Sequence, residues 1–206
     1  MAINAVIFDI GNVLIEWQPE KYFDRVLGGA KRREMFGAVD IHGMMTRIDA
    51  GNVFADVVEE TGAAHPDWRE QVLEFRRNWT EIAQPEIPGS VRLLRALKAR
   101  GVPVFALSNF GKENFPLSEA QFPFLTEFDR RYISGEMKMI KPDAEIYAAV
   151  EADCGLAPDT LFFTDDREDN IAAAAARGWQ THRFETPQGL ARRLVEDGLL
   201  TQEDIA

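Results

Sequence analysis

The stretch Ala5-Val6-Ile7-Phe8-Asp9-Ile10-Gly11-Asn12-Val13-Leu14 decides the fold. Its first four residues form an apolar, partly β-branched run that is too short for a helix and reads as a buried strand. The run ends on the carboxylate of Asp9, with a glycine turn just beyond it. In open α/β sheets, ligands bind outside the carboxyl ends of the strands, so Asp9 is a candidate site residue. Taken alone, an Asp at a strand end is as often a turn former. Three further polar clusters fall where the same pocket needs them.

Beyond Gly11 the pattern changes. Residues 19–82 read as helical, including stretches at 52–62 and 66–82. In the latter, Trp68, Val72, Phe75 and Trp79 recur at three- and four-residue intervals, the mark of a helix core rather than a cofactor box. Residues 84–89, Gln-Pro-Glu-Ile-Pro-Gly, read as a linker or turn. Helices and strands then alternate: helix 90–100, strand 102–107, a loop-rich helical stretch, strand 131–134, helix 142–154, strand 160–164, helix 170–177, strand 180–184 and helix 187–197. Such alternation predicts an α/β fold with a doubly wound parallel sheet. The first strand is separated from this series by the helical stretch. The expected organisation is therefore a Rossmann-like core of residues 1–15 and 87–206, with a helical cap inserted at 16–86.

Composition bounds the function. With 206 residues, the chain suits one domain carrying a smaller insert. A formal net charge of −11 argues against nucleic acid, whose partners usually show a basic face. It leaves room for a small anionic substrate, because one metal ion and one lysine reverse the potential of a pocket locally. The single Cys154 excludes an internal disulfide and a thiolate metal cluster. No basic apolar leader or long uncharged span is present, so a soluble cytoplasmic protein with no membrane partner is expected, and the Asn78-Trp79-Thr80 sequon reads as accidental. Oligomeric state is not fixed by the sequence.

The second cluster is Ser108-Asn109, directly after strand 102–107. A hydroxyl, an amide and free backbone N–H groups at a strand end can bind phosphate oxygens, although Ser-Asn alone is mostly a turn or cap. The third is Lys141-Pro142 at a helix start, where the lysine is slightly unfavourable with the helix dipole and so needs a reason to be there. The fourth is Phe162-Phe163-Thr164-Asp165-Asp166-Arg167-Glu168-Asp169-Asn170. Two adjacent acids ending a buried strand repel unless a cation lies between them, and oxygen ligands in this number suit Mg²⁺. Asp169 and Asn170 read as caps of the following helix.

In this order, Asp9, Ser108, Lys141 and Asp165-Asp166 resemble the four motifs of the haloacid dehalogenase superfamily, over nearly the whole chain. The phosphatase branch acting on α-glucose 1-phosphate is the most similar, with its Asp-x-Gly-Asn-Val, Leu-Ser-Asn, Lys-Pro and Asp-Asp-x-x-Asp-Asn motifs. The resemblance implies that Asp9 is a nucleophile forming an aspartyl-phosphate. It also implies Mg²⁺ held by Asp9, the carbonyl of Gly11 and Asp166, with Asp165 a further ligand or a support. Lys141 neutralises Asp9 and a phosphate oxygen, while Ser108 and backbone amides near Ile10, Gly11 and Asn109 bind the others. The implied substrate is a small phosphorylated metabolite such as a sugar phosphate.

One departure stands out. Most phosphatases of the superfamily carry a second aspartate two residues after the nucleophile as general acid and base, and here that position is Gly11. Such a group contributes roughly 10²–10⁴ in rate, about 3–5 kcal/mol. A water or a cap carboxylate takes its place, or substrates with a good leaving group are preferred. His42, Arg47 and Trp79 are candidates to contact substrate, although each has a commoner reading: loop residue, surface cation and core aromatic. Two alternatives stay open, a metal-independent 2-haloacid dehalogenase and a catalytically inactive binding module. The dehalogenases typically carry serines where Asp165 and Asp166 stand. The sequence contains no nucleotide P-loop, dinucleotide glycine fingerprint or zinc-binding His pair.

Overall fold

The computed structural model describes residues 2–205. Strand β1 (Ala5–Phe8) is followed by β2 (Ile15–Trp17), and then by helices α1 (Pro19–Leu27), α2 (Gly29–Ala38), α3 (Ile41–Asp49), α4 (Phe54–Ala64), α5 (Arg69–Arg77) and α6 (Trp79–Ile82). Next come β3 (Ala83–Glu86), α7 (Pro88–Ala99), β4 (Val104–Ser108), α8 (Phe115–Gln121), β5 (Arg130–Ile133), α9 (Ser134–Met137) and α10 (Ala144–Cys154). The chain closes with β6 (Leu161–Asp165), α11 (Glu168–Ala176), β7 (Gln180–Arg183) and α12 (Pro187–Glu196). The long strands form one parallel sheet in the order β5-β4-β1-β6-β7. This is the Rossmann-like α/β arrangement that the alternation predicts.

The two faces of the sheet follow from the side-chain period of two. Val6, Phe8, Val104, Ala106 and Phe162 point into one core cluster. Ala5, Ile7, Phe105, Leu107, Leu161 and Phe163 point into another, packed with Ile146 and Tyr147 of α10 and Ile171 of α11. Both faces of β1, β4 and β6 are buried, as expected of a parallel sheet covered by helices. The first cluster runs without a break from the sheet into the α1–α6 segment through Phe23, Ile48, Phe75 and Trp79.

Three local expectations are corrected. Residues 84–89 do not form a linker: Ala83–Glu86 is a strand that pairs antiparallel with β2, and α7 begins at Pro88. The Ile87 N–H donates to Leu14 O at 2.7 Å, so both crossings into the helical segment are tied together. The helix expected over 66–82 breaks at Asn78 into α5 and α6, after a 3₁₀ turn at Pro66–Trp68. Asn78 closes α5 in a non-helical conformation (φ −124°, ψ 32°), its N–H bonded to Glu74 O at 2.8 Å and its side-chain amide to Glu74 Oε2 at 2.6 Å. Finally, α10 starts at Ala144 rather than at Pro142, with Asp143 as its N-cap.

Val72, Phe75 and Trp79 are buried, in keeping with a helix core. Trp79 stacks near Trp17, Phe54 and Phe110 with ring centroids 5.2–5.7 Å apart. Its indole N–H donates to Ser118 Oγ on α8 at 2.9 Å, which ties α6 to the sheet side of the molecule. Among the described residues, no helix is long and apolar enough to cross a membrane. Ser118→Ala leaves that buried N–H without its acceptor and is expected to cost about 1–3 kcal/mol, read as a lower urea midpoint with an unchanged slope.

Candidate active site

Strand register brings the polar clusters together. Phe8 pairs with Ala106 of β4 and Thr164 of β6, so Asp9 emerges between the ends of both neighbours. Its N–H donates to Thr164 O at 2.9 Å. Ser108 ends β4 and Asp165 ends β6. All of them lie at the carboxyl edge of the sheet, beside its central strand.

Lys141 is buried at the centre. Its Nζ lies 2.9 Å from Asp9 Oδ1 and 2.6 Å from Asp165 Oδ2, and donates to Leu107 O at 2.8 Å. Burial pulls the ammonium down, but the charges of Asp165 and Asp9 outweigh it, leaving Lys141 raised and protonated. The Ser108 hydroxyl donates to the same Asp9 oxygen at 2.7 Å. Burial pushes the Asp9 carboxyl up to about 6; Lys141 pulls it back and Asp165 adds to the rise.

The acid pair divides its work. Asp165 is buried, and its two oxygens accept from Lys141, from the Arg167 N–H at 2.8 Å and twice from Asn170 Nδ2 at 3.0 Å. Asp166 is half-buried and faces the cavity. Burial first and Asp165 second raise its pKa, while a hydrogen bond from Asn12 Nδ2 at 3.2 Å lowers it. Ligand oxygens of Asp9, Asp165 and Asp166 come within 4.8 Å of one another. This all-carboxylate set, in which burial and then the charge of Asp165 push both Asp9 and Asp166 towards protonation, fits a hard divalent cation such as Mg²⁺.

Two expected roles are corrected, and Arg47 takes its commoner reading as a surface cation. The side-chain amide of Asn109 is not free for phosphate: Nδ2 donates to Lys141 O at 2.9 Å and Oδ1 accepts from the Lys141 N–H at 2.8 Å. Asn109 is therefore a bracket that holds the lysine loop, leaving its backbone N–H for an anion. Asn170 is not a helix cap but lies within α11, donating to Asp165; Asp169 pairs with Arg167, the N-cap residue. Arg47 turns outward to Glu60 and does not line the cavity.

The cavity holds about 360 Å³ between the sheet edge and the helical segment. Asp9, Ile10, Gly11, Ser108, Asn109, Lys141 and Asp166 line its floor. His42, Met45, Asp49 and Trp79 close it from α3 and α6. The sequence reading gave no role to Asn12 or Asp49 and took Asn170 for a cap. Asn12 takes a left-handed conformation (φ 55°), which Asn tolerates better than most residues. The Gly11-Asn12 pair just after Asp9 was the available signal.

The chain matches the haloacid dehalogenase-like hydrolases over residues 3–178 and belongs to that family. A HAD family enzyme from Bacteroides thetaiotaomicron, solved in complex with magnesium and inorganic phosphate, superposes with a TM-score of 0.66 at 26% identity, covering 90% of this chain and 96% of that one. A sesquiterpene phosphatase from Aspergillus oryzae is 26% identical over 177 residues, covering 85% of this chain and 86% of its own length. Drimenol cyclase from Aspergillus calidoustus is 25% identical over 94% of this chain, which spans 36% of that relative's length.

Two outcomes follow from this electrostatic arrangement. Lys141→Met strands Asp9 and Asp165 without their cation and is expected to destabilise by about 3–5 kcal/mol at pH 8. Without the lowering pull of Lys141, the Asp9 carboxyl, already raised by burial, is raised further, so the loss measured by urea titration should shrink as pH falls towards 4. Mg²⁺ needs the carboxylate forms. Because Asp9 and Asp166 both hold protons unusually well, the rise in Tm caused by Mg²⁺ should be large at pH 7.5 and fade as pH drops through about 6.

Proposed function

We propose that this hydrolase is a magnesium-dependent phosphatase that cleaves small phosphate monoesters through an aspartyl-phosphate on Asp9. The observation that carries this reading is the state of Asp9. One of its oxygens is pinned by Lys141 and Ser108 while the residue lines a cavity shared with Asp166. The pinned oxygen orients the carboxylate, and the other is free to attack phosphorus as the bond to the leaving alcohol breaks. Water then attacks the acyl-phosphate, releasing inorganic phosphate and restoring Asp9. Backbone N–H groups of Ile10, Gly11 and Asn109, with Lys141, are the candidates to hold the phosphate oxygens.

Asp9, the Gly11 carbonyl and Asp166 are the proposed ligands of Mg²⁺, and Asp165 supports them through Lys141 and Asn170. When bound, the ion offsets the repulsion between an anionic nucleophile and an anionic phosphate. Residues 16–86 act as a cap over a core of 1–15 and 87–206. Within the monoesters, the motif pattern favours sugar phosphates such as glucose 1-phosphate. A second reading rests on the cavity lining, where Ile15, Trp17, Met45, Trp79 and Phe110 offer an apolar wall. Such a wall favours the phosphate of an apolar alcohol, and the sesquiterpene phosphatase relative points the same way.

Phosphate release from α-glucose 1-phosphate, glucose 6-phosphate, farnesyl phosphate and p-nitrophenyl phosphate tests both readings, with halide release from 2-chloropropionate alongside. Release that needs Mg²⁺ and falls by more than 10³-fold in Asp9→Asn is expected. Halide release indifferent to EDTA would hand the reaction to dehalogenation instead.

A further inference from the structure

An alkoxide is a poor leaving group, and its departure needs a proton that Asp9, as nucleophile, cannot supply. Of the other acids around the cavity, Asp166 accepts from Asn12 and belongs to the metal-fitting cluster. Glu16 pairs with Lys21 at 2.9 Å. Glu20 sits in the first turn of α1, where an acidic side chain stabilises the helix end. That leaves Asp49.

Asp49 is the last residue of α3, at the negative end of the helix dipole, where a carboxylate is disfavoured. It lines the cavity together with Asp9 and Lys141, and its side chain takes no hydrogen bond or ion pair among the described residues. Burial, then the charge of Asp9, pushes it up to about 7, against a smaller opposing pull from Lys141.

Its position is enforced by a clasp between α3 and the sheet edge. The Ser134 hydroxyl donates to Asp49 O at 2.7 Å and accepts from the Phe110 N–H at 2.9 Å. The Gly135 N–H donates to Phe110 O at 3.0 Å. The clasp is too tight for side chains. A Cβ on Gly135 would lie 2.5 Å from Lys112 N, and one on Gly51, itself at φ +95°, would lie 2.9 Å from Gly135 O. Asp49 is thereby bolted to the backbone that follows Ser108-Asn109. Gly11, by contrast, has room: its Cβ would meet nothing nearer than Trp17 Cβ at 3.9 Å. The glycine is not demanded by packing, and both Gly11 and Asp49 line the one cavity.

We propose that Asp49 is the general acid and base of this site, donated across the cavity by α3; the proposal rests on the phosphatase reading above. In the first half-reaction Asp9 bonds to phosphorus, the P–O bond to the alcohol breaks, and the Asp49 carboxyl gives its proton to the departing oxygen. In the second, the Asp49 carboxylate takes a proton from water as that water's oxygen bonds to phosphorus. The P–O bond to Asp9 breaks, which regenerates the Asp9 carboxylate and the Asp49 carboxyl and frees phosphate.

The test compares p-nitrophenyl phosphate, whose leaving group departs without a proton, with an alkyl phosphate such as glucose 6-phosphate. Asp49→Asn is expected to lower kcat on the alkyl ester by roughly 10²–10⁴-fold. On the aryl ester it should give a rapid burst of one p-nitrophenolate per chain, followed by slow turnover, because phosphorylation of Asp9 no longer needs the acid while its hydrolysis still needs the base. Adding Gly11→Asp to Asp49→Asn should recover part of the alkyl-ester rate, which a merely structural role for Asp49 would not allow. If Asp49→Asn does not melt cooperatively, Asp49→Glu and Asp49→Gln form the comparison, differing only in the proton-carrying group. Equal losses on both esters without a burst, or no loss on either, overturn the assignment. A wild type that releases phosphate from none of α-glucose 1-phosphate, glucose 6-phosphate, farnesyl phosphate and p-nitrophenyl phosphate overturns the phosphatase reading itself.

Discussion

Everything at the sheet edge depends on the Lys141 ammonium lying between Asp9 and Asp165. Two adjacent parallel strands each end on a buried carboxylate, and a pair of like charges so placed cannot both stay ionised without a cation. Buried ion pairs are weak evidence of stability, since apolar residues of similar volume often do as well. The arrangement is better understood as pre-organisation: the lysine keeps Asp9 charged in a place where burial would otherwise neutralise it. The brackets around it serve that end. Asn109 grips the Lys141 backbone from both sides, and Asn170 spends its amide on Asp165 rather than on a helix end.

The sheet supplies the precision that this arrangement requires. Because β1, β4 and β6 are buried on both faces, their register is locked by packing on each side, and a one-residue slip would exchange the two core clusters. That register sets Asp9 beside the ends of β4 and β6. The helical segment is held differently, through the β2–β3 ribbon, the Trp79–Ser118 bond and the Ser134–Asp49 clasp. Through these attachments α3 and α6 carry His42, Asp49 and Trp79 to the cavity wall.

Much of this was legible from residues alone. Short apolar runs ending in Asp9, Ser108 and Asp165 announced parallel strands and the polar residues at their carboxyl ends, because β-branched and aromatic runs have few other uses. What could not be read was set by tertiary partners. Asn109 and Asn170 look like caps or phosphate ligands locally, and only the folded neighbours show where their amides go. The strand at Ala83–Glu86 contains a proline and a mixed pattern, so nothing but its pairing with Ile15–Trp17 marks it as a strand. Asp49 carried no motif at all. Its significance comes from the end of a helix meeting the end of a sheet, a contact between residues far apart in sequence.

The pairing of Gly11 with Asp49 has a consequence for how such a site selects substrates. With the acid beside the nucleophile on the same turn, proton transfer is indifferent to the helices above. With the acid on α3, leaving-group protonation requires the helical segment to be seated, and the clasp through Ser134 and Gly135 keeps it so. The alcohol portion of the substrate must then fit between Asp49 and the wall of Trp17, Met45, Trp79 and Phe110 to receive its proton. Binding of the leaving group and its protonation become one geometric requirement. Under the proposed chemistry, a phosphate ester that reached Asp9 without filling this space would be held without being efficiently cleaved, so that specificity would act on the chemical step rather than on affinity alone.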